Sequence, residues 1–315
     1  MINFRYHVVS LTAVFLALAI GLVVGTAALN GPVADSLQSQ IVALNKDNSN
    51  KRDQISQYRD EINRSQGFAT EIAPALLAGK LTGQKLVVLA LPDTDVYADG
   101  VISMLKLAGA TITAKVTINE KFLDPNNSFE LLDLAGQSSE PSVPIEGLPV
   151  NSDGVETASA QLALALLQRP GAVQATPADV TSILTAYSKA GYISTDDKAA
   201  GLADGTVVIS GAPAIDKDAA KKSQNAVTLT TQFLGAGTNK RPEVVAGDGV
   251  GDGNLISAVR GDPSLSKDIS TVDNASTVNG QLATGMTAVE RFIQNKVGQY
   301  GLAAGSTSMV PKTAP

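Results

Sequence analysis

An uncharged apolar stretch opens the chain, and a long polar stretch with helical periodicity follows it. Residues 8–29 contain no charged side chain and no proline. A helix of 22 residues rises roughly 33 Å, enough to cross a hydrocarbon core of about 30 Å. The pattern therefore predicts a transmembrane helix over 8–29. The alternative is a cleaved signal peptide, although the apolar region of such peptides is shorter, about 7–15 residues.

Small residues recur every fourth position along this span, at Ala13, Ala17, Gly21 and Gly25. This spacing places them on one helix face, and small residues let two membrane helices approach closely. We expect the face to pack against another helix, from a second copy or from a partner. The alternative is that glycine and alanine are simply common in membrane helices.

Residues 33–66 carry the second pattern, in which core-type positions recur alternately three and four residues apart. Gly31 and Pro32 separate it from the span. This spacing predicts a coiled-coil stalk that ends at Gly67. The stalk would pair with a second copy or with a second membrane protein; the alternative is an amphipathic helix that packs on its own domain. The predicted seam, interrupted at Asn48 and Lys51, consists of Ala34, Leu37, Ile41, Leu44, Asn48, Lys51, Ile55, Tyr58, Ile62 and Ser65.

Buried-type strands alternate with helical segments in the rest of the chain. Continuous apolar runs at 85–91, 205–211 and 242–246 are typical of strands covered on both faces. A short helix is predicted at 69–81, before the first run. Predicted helices at 96–108, 155–169, 178–190, 216–234 and 280–296 separate the runs or follow them, and 136–154 is expected to be a long loop. Alternation of this kind predicts a three-layer α/β domain with a mostly parallel sheet over 67–304. The small, polar residues 305–315 predict a disordered tail.

Charge and composition indicate the cellular location of the protein and exclude some kinds of partner and site. Arg5 precedes the span and Asp35 is the first charge after it, so the positive-inside rule predicts a single-pass protein of the inner (plasma) membrane. Residues 1–7 would be cytoplasmic and the bulk of the chain extracytoplasmic, or periplasmic. Residues 67–315 carry 25 acidic and 18 basic residues, a net charge of −7, which disfavours nucleic acid as a partner. The absence of cysteine excludes disulfides and thiolate sites.

The sequence contains only weak candidates for metal ligands. Asp93 and Asp95 follow the first strand, where open α/β sheets bind ligands, but side chains at 93–95 could equally cap the next helix. Asp248 and Asp252 lie in a glycine-rich loop that lacks the third-position ligand of a calcium loop, so a flexible turn is the alternative. Because His7 is the only histidine and precedes the span, we expect no Ser–His–Asp enzyme. No cofactor is expected.

Several stretches together resemble one family. They are the opening residues 5–25, the heptad stalk, residues 77–89, Ile269-Ser-Thr-Val-Asp-Asn274 and Gly298-Gln-Tyr-Gly301. The chain is similar to the actinobacterial copper transporters, the MctB-like proteins of a mycolate-type cell envelope, over nearly its whole length. The resemblance implies a role in lowering copper, by efflux or binding. It also implies a link, through the SteB-type proteins of corynebacteria, to daughter-cell separation with a second membrane protein or an envelope or peptidoglycan-hydrolase partner.

The residues themselves offer little copper chemistry. Copper(I) prefers thiolate and thioether ligands and copper(II) prefers imidazole, whereas the chain beyond the span has only Met104, Met286 and Met309. One membrane helix forms no pore alone, so a channel would need an oligomer. We therefore expect a non-enzymatic interaction protein, with copper homeostasis as the alternative.

Overall fold

The computed structural model describes residues 4–144, 148–149, 151–195, 199, 201–213 and 215–312, except for the side chains of 28–30, 32–33 and 238. The chain divides into two compact units, Met1–Arg64 and Ser65–Pro315. Two parts of the predicted loop at 136–154, residues 145–147 and 150, lie outside the described residues.

Two long helices begin the chain. Helix α1 spans Phe4–Asn30 and α2 spans Pro32–Leu77, with Gly31 between them. Proline suits the first turn of a helix because its missing N–H has no intrahelical partner there, which explains why α2 begins at Pro32. The predicted span of 8–29 falls inside α1, and the predicted stalk falls inside α2.

Helix α2 differs from the prediction at its C-terminal end. The predicted stop at Gly67 and the separate helix over 69–81 are wrong, because α2 continues through both Gly67 and Pro74 to Leu77. Ala69, Ala73 and Leu77 are buried at a spacing of four residues. Burial of this face offsets the cost of a helical glycine, about 1 kcal/mol.

One seven-stranded sheet forms the centre of the second unit, in the order β3-β2-β1-β4-β5-β6-β7. All neighbours pair in parallel except β2 and β3, which are antiparallel. The fold class predicted from the sequence, α/β with a mostly parallel sheet, is confirmed. The strands are β1 Lys85–Ala90, β2 Thr111–Ile118, β3 Ile193–Thr195, β4 Gly205–Ser210, β5 Glu243–Gly247, β6 Ile269–Val272 and β7 Gln299–Tyr300.

Helices cover both faces of this sheet. They are α3 Asp95–Leu107, α4 Glu120–Leu123, α5 Ser128–Gln137, α6 Gly154–Leu166, α7 Pro177–Lys189, α8 Ala219–Leu234, α9 Leu255–Gly261 and α10 Val278–Ile293. Successive side chains of a strand point to opposite faces. Val87 and Leu89 accordingly enter a core shared with α5 to α9, while Leu86 and Val88 enter a second core shared with the end of α2, α3 and α10.

A β-bulge in β2 keeps its long apolar run on one core. Leu86 pairs with Ile112, but Val87 pairs with Ala114, so Thr113 is the extra residue. The extra residue reverses which face the following side chains point to. As a result Ala114, Val116 and Ile118 all join the first core.

The C-terminal segment is ordered against the domain, in contrast to the disorder predicted from residue 305. Thr307 donates its backbone N–H to the carbonyl of Gln299 at 2.7 Å, and Gly301 donates to the carbonyl of Ser308 at 3.0 Å. Pro311 is buried. These backbone bonds to β7 are contacts that residue composition alone does not reveal. Residues 313–315 lie outside the described residues.

Candidate functional site

The small-residue face of α1 is open along its length. Phe4–Ala27 is long and apolar enough to cross a membrane, and it is the one such helix among the described residues. A methyl group added at Gly21 or Gly25 would meet no atom within 4 Å. Thr12 and Thr26 donate their hydroxyls to carbonyls one turn earlier, Val8 and Leu22, so the helix satisfies these polar groups internally, as a lipid environment requires. Ala13 and Ala17 are also exposed, so the face is available for packing.

The seam predicted on the stalk is a continuous exposed stripe of α2. Its apolar side chains are each at least half exposed: Leu37, Ile41, Leu44, Ile55, Tyr58 and Ile62. Asn48 is exposed too. An apolar stripe of this length on a helix is typical of an association surface. Every side chain from residue 34 to residue 64, all of which are described, is exposed.

The second interruption of the seam has a local counter-charge. Lys51 pairs with Asp47 one turn earlier, with Nζ and Oδ2 2.8 Å apart. The Asp47 hydrogen bond, followed by its charge, raises the pKa of Lys51 above its ordinary value. The positive charge of Lys51 in the stripe is therefore balanced by the negative charge of Asp47.

A pocket of about 410 Å³ lies at the carboxyl ends of β1 and β4. From β1 the chain winds to β2 on one side, and from β4 it winds to β5 on the other. Such a reversal of strand order opens a crevice where open α/β sheets bind ligands. Leu91, Leu123 and Leu255 give the pocket apolar walls, and its charged lining residues are Asp93, Glu120, Asp216 and Lys222.

Asp93 occupies a strained position beside this pocket. Its φ is +63°, a left-handed conformation that costs an ordinary residue about 1–2 kcal/mol. The neighbouring β4 loop approaches closely, since a methyl group on Gly211 would lie 2.1 Å from the Pro92 carbonyl oxygen. The predicted capping role is not what the structure shows: Thr94 is the N-cap of α3, but no side chain there makes a capping bond. Its hydroxyl instead donates to the carbonyl of Leu91 at 2.7 Å.

Two of the four candidate carboxylates, Asp93 and Asp248, raise the pKa of the same side chain, Tyr97. The Tyr97 hydroxyl donates to the carbonyl of Ser210 at 2.5 Å. Burial first, then the negative charges of Asp248 and Asp93, raise the pKa of Tyr97 to about 12. Tyr97 is a residue that sequence reasoning missed, because its role depends on β1 and β4 being neighbours.

Asp95 and Asp252 remain apart from that pair. Asp95 lies in the first turn of α3, where a negative charge is favourable. Asp252 lies among Gly249, Gly251 and Gly253, which all have positive φ, as expected of a tight turn. Among the described residues, no three carboxylate, histidine or cysteine side chains come together as a metal-binding group.

The two C-terminal stretches that carry the resemblance meet in space. Strand β6 pairs with β7, and Asp273 receives backbone N–H groups from Leu302 at 2.7 Å and Ala303 at 3.2 Å. Arg260 of α9 donates from Nη1 to Asp273 Oδ2 at 2.8 Å and from Nη2 to the carbonyl of Tyr300 at 2.7 Å. Arg260 could not be recognised from the sequence, since a lone arginine in a short helix belongs to no periodic pattern.

Comparison with known proteins identifies the group to which these features belong. A family model described as "Copper transport outer membrane protein, MctB" matches residues 1–311. The chain belongs to the MctB family. It is 27% identical over 320 residues to the copper transporter MctB of Mycobacterium tuberculosis, covering 98% of this chain and 99% of that protein. The copper transporter MctB of Mycobacterium leprae is similar to the same degree, 27% over 323 residues.

Membership of the MctB family confirms the resemblance found in the sequence. The family and its named members are described by copper transport and not by a catalysed reaction. Within the domain, Met104 of α3 and Met286 of α10 both pack, half-buried, against the second core. Met309 is mostly exposed. The two half-buried thioethers are therefore the donors that the structure places on one face of the sheet.

Proposed function

We propose that this MctB family member is a non-enzymatic, membrane-anchored envelope protein that acts by protein association. Helix α1 would anchor it in the inner membrane with residues 1–7 in the cytoplasm and the α/β domain outside, as the position of Arg5 favours. The observation that carries the proposal is the exposed apolar stripe of the stalk, Leu37 to Ile62. An exposed stripe of this kind is stabilised when another helix covers it.

The occupant we propose for this stripe is the stalk of a second copy, aligned in parallel. Ile41, Ile55 and Ile62 occupy a positions, and Leu37 and Leu44 occupy d positions. β-branched residues at a with leucine at d favour two-stranded parallel coiled coils. A single asparagine at an a position, here Asn48, pairs with its own copy in such a dimer and fixes the register.

The flanking charges support the same orientation. In a parallel dimer, position g of one helix faces position e of the next heptad on the other helix. Asp47 at g would then face Arg52 at e, an opposite-charge pair. In an antiparallel dimer residues of the same position class would face one another, which would bring together Arg52 and Arg59. Like-charge contacts of that kind are destabilising.

We propose further that the paired stalks serve daughter-cell separation together with a second membrane protein or a peptidoglycan-hydrolase partner. The resemblance to SteB-type proteins supports this setting, and in the proposed orientation the anchor would hold the domain on the side where envelope partners lie. The association surface needs no catalytic group for such a role.

The test uses the full chain in micelles of an uncharged detergent. Leu44→Asp and Ile55→Asp place charges in the seam, and Val42→Asp makes the same kind of change at an exposed position outside it. We expect a dimer for the unchanged chain and Val42→Asp, and a monomer for the two seam variants, by light scattering. Seam variants that stay dimeric would contradict the stalk as the interface. A stoichiometric complex with another protein, without self-association, would contradict the second copy as occupant.

The second candidate function is copper homeostasis, which the family description and the names of the relatives favour. Met104 and Met286 would supply thioether ligands for copper(I). Calorimetry of the full chain with copper(I) and with copper(II) tests it. Saturable copper(I) binding that is lost in Met104→Leu and Met286→Leu but kept in Met309→Leu would support it. Equal binding in all three variants would exclude these two methionines as the site.

A further inference from the structure

A second pocket lies at the amino ends of the strands, on the edge of the sheet opposite the first. It measures about 450 Å³ and lies between the segment that follows α6 and the segment that precedes β5. Its lining includes Arg169, Lys240 and Arg241, together with the single carboxylate of Asp204. Apolar walls come from Leu164, Pro170, Ala172 and Pro242. No residue of this pocket belongs to the sites described above.

Each of the two arginines that line this pocket donates one side-chain hydrogen bond to a backbone carbonyl. Arg169 donates from Nη2 to the carbonyl of Ser142 at 2.8 Å, but its buried Nε has no hydrogen-bond partner in the part of the chain described. Arg241 donates from Nε to the carbonyl of Gln168 at 3.1 Å. Within the described residues, no carboxylate forms an ion pair with either guanidinium. Arg169 Nη1 and both terminal nitrogens of Arg241 have no hydrogen-bond partner within the described residues, so their N–H groups can donate to a bound acceptor.

The surrounding charges leave a positive surplus. Lys240 is paired with Asp268. Asp204 uses Oδ2 to accept the backbone N–H of Lys85 at 2.8 Å. Burial lowers the pKa of both arginines from the ordinary value, and the charge of Arg169 lowers that of Arg241 further. Two guanidinium groups that repel each other in one pocket are stabilised by an anion between them.

We propose that this pocket binds the phosphate group of a small phosphate monoester, held between Arg169 and Arg241. Planar guanidinium forks match phosphate oxygens and form short charge-assisted hydrogen bonds with them. Phosphate presents enough oxygens to accept from two forks at once, whereas a carboxylate presents only two. The volume is within the range of small-ligand sites, about 300–1,000 Å³, so a sugar or a glycerol moiety fits beside the apolar walls.

Isothermal titration of the full chain in uncharged-detergent micelles tests the proposal, with glucose 1-phosphate and glycerol 3-phosphate as separate probes. The first represents a free sugar phosphate and the second a lipid headgroup. We expect saturable binding of at least one probe, weakened by about tenfold or more, or 1.4 kcal/mol, in Arg241→Gln and Arg169→Gln. The control is Lys189→Gln, which removes one exposed positive charge elsewhere in the domain.

Thermal unfolding adds a readout that a purely structural role would not move. A saturating phosphate probe should raise the melting temperature of the unchanged protein and of Lys189→Gln, and should leave that of Arg241→Gln unchanged. The proposal is overturned if neither probe binds, if Arg241→Gln binds as well as the unchanged protein, or if succinate binds as tightly as both phosphate esters. The probe that binds more tightly identifies the source of the ester.

Discussion

Arg260 and Asp273 form a buried ion pair that joins three segments of the α/β domain. Arg260 Nη1 lies 2.8 Å from Asp273 Oδ2, and the side chains are 7% and 1% exposed. The guanidinium also donates to Thr271 in β6 and to the carbonyl of Tyr300 in β7. The carboxylate accepts backbone N–H groups beyond Tyr300. Helix α9, strand β6 and the C-terminal segment are therefore fixed to one another by a single pair.

Asp273→Ala should destabilise the domain by about 3–5 kcal/mol, because it leaves the Arg260 charge buried without a partner. Denaturant unfolding of the full chain, in the same detergent throughout, measures the change. Asp99→Ala is the matched control, since Asp99 pairs with Lys115 at 3.0 Å but is 78% exposed. That loss should stay below about 1 kcal/mol. Equal losses for the two variants would show that burial does not determine the strength of the Arg260 pair.

Gly301→Ala should release the C-terminal segment. Gly301 has a φ of +127°, and a methyl group there would lie 2.1 Å from Asp273 Oδ1. Gly201 has the same φ of +127° but open space around it, so Gly201→Ala measures the backbone strain alone. We expect Gly301→Ala to lose about 1–3 kcal/mol more than Gly201→Ala. We also expect faster amide hydrogen exchange at 301–308 in Gly301→Ala alone; similar exchange in both variants would contradict the contact.

The strands predicted most directly from the sequence are those whose burial is uniform along the strand. Strands β1, β4 and β5 are continuous apolar runs, and the structure buries nearly every side chain in them. Strand β6 was missed because its centre consists of two polar residues, Ser270 and Thr271. The structure buries both of them, but their sequence does not form an apolar run. Helix α5 was missed because Phe129 is 88% exposed, so its apolar pattern does not follow one face.

The site features missed from the sequence depend on long-range neighbours. Asp93 and Asp248 both raise the pKa of Tyr97, and they do so only because β4 lies between β1 and β5. Arg169 and Arg241 share a pocket only because the segment after α6 passes beside the start of β5. Neither arrangement can be predicted from the spacing of residues along the sequence. The stalk, by contrast, is a local pattern, so its helix could be predicted from residue spacing alone. The pairing of its seam stays a prediction.

Glu243→Gln should stabilise the domain at neutral pH and weaken its dependence on pH. Glu243 is fully buried at the start of β5, and neither carboxylate oxygen has a hydrogen-bond partner among the described residues. Burial raises the pKa of Glu243 well above its ordinary value, and the nearby charge of Arg291 opposes this only in part. The folded protein therefore holds this proton to a higher pH than the unfolded chain does.

It follows that this glutamate lowers stability progressively as pH rises from the ordinary glutamate range through the raised pKa. Denaturant unfolding of the unchanged protein and of Glu243→Gln across that range gives the comparison. The difference between the two free energies of unfolding should grow with pH in favour of the glutamine. Asp179 provides the control, since hydrogen bonds from Ser142 lower the pKa of its carboxyl. Asp179→Asn should lose stability, and that loss should disappear as the pH falls into the acid range. A constant difference for Glu243→Gln would contradict a buried titrating carboxyl.

Asn48→Leu should strengthen stalk association while removing its single oligomeric state. In the parallel dimer proposed above, Asn48 lies in the seam opposite its own copy, and leucine would bury more apolar surface, for a gain of about 1–3 kcal/mol. A polar a residue fixes register and strand number at a cost in stability, so its removal should also permit higher oligomers. Asn50→Leu, two residues later and also at an exposed position, lies outside the seam and is the matched control. Sedimentation of the full chain in detergent should show a tighter, mixed population for Asn48→Leu and an unchanged dimer for Asn50→Leu. Identical behaviour of the two variants would place Asn48 outside the interface, and with it the heptad register on which the parallel dimer depends.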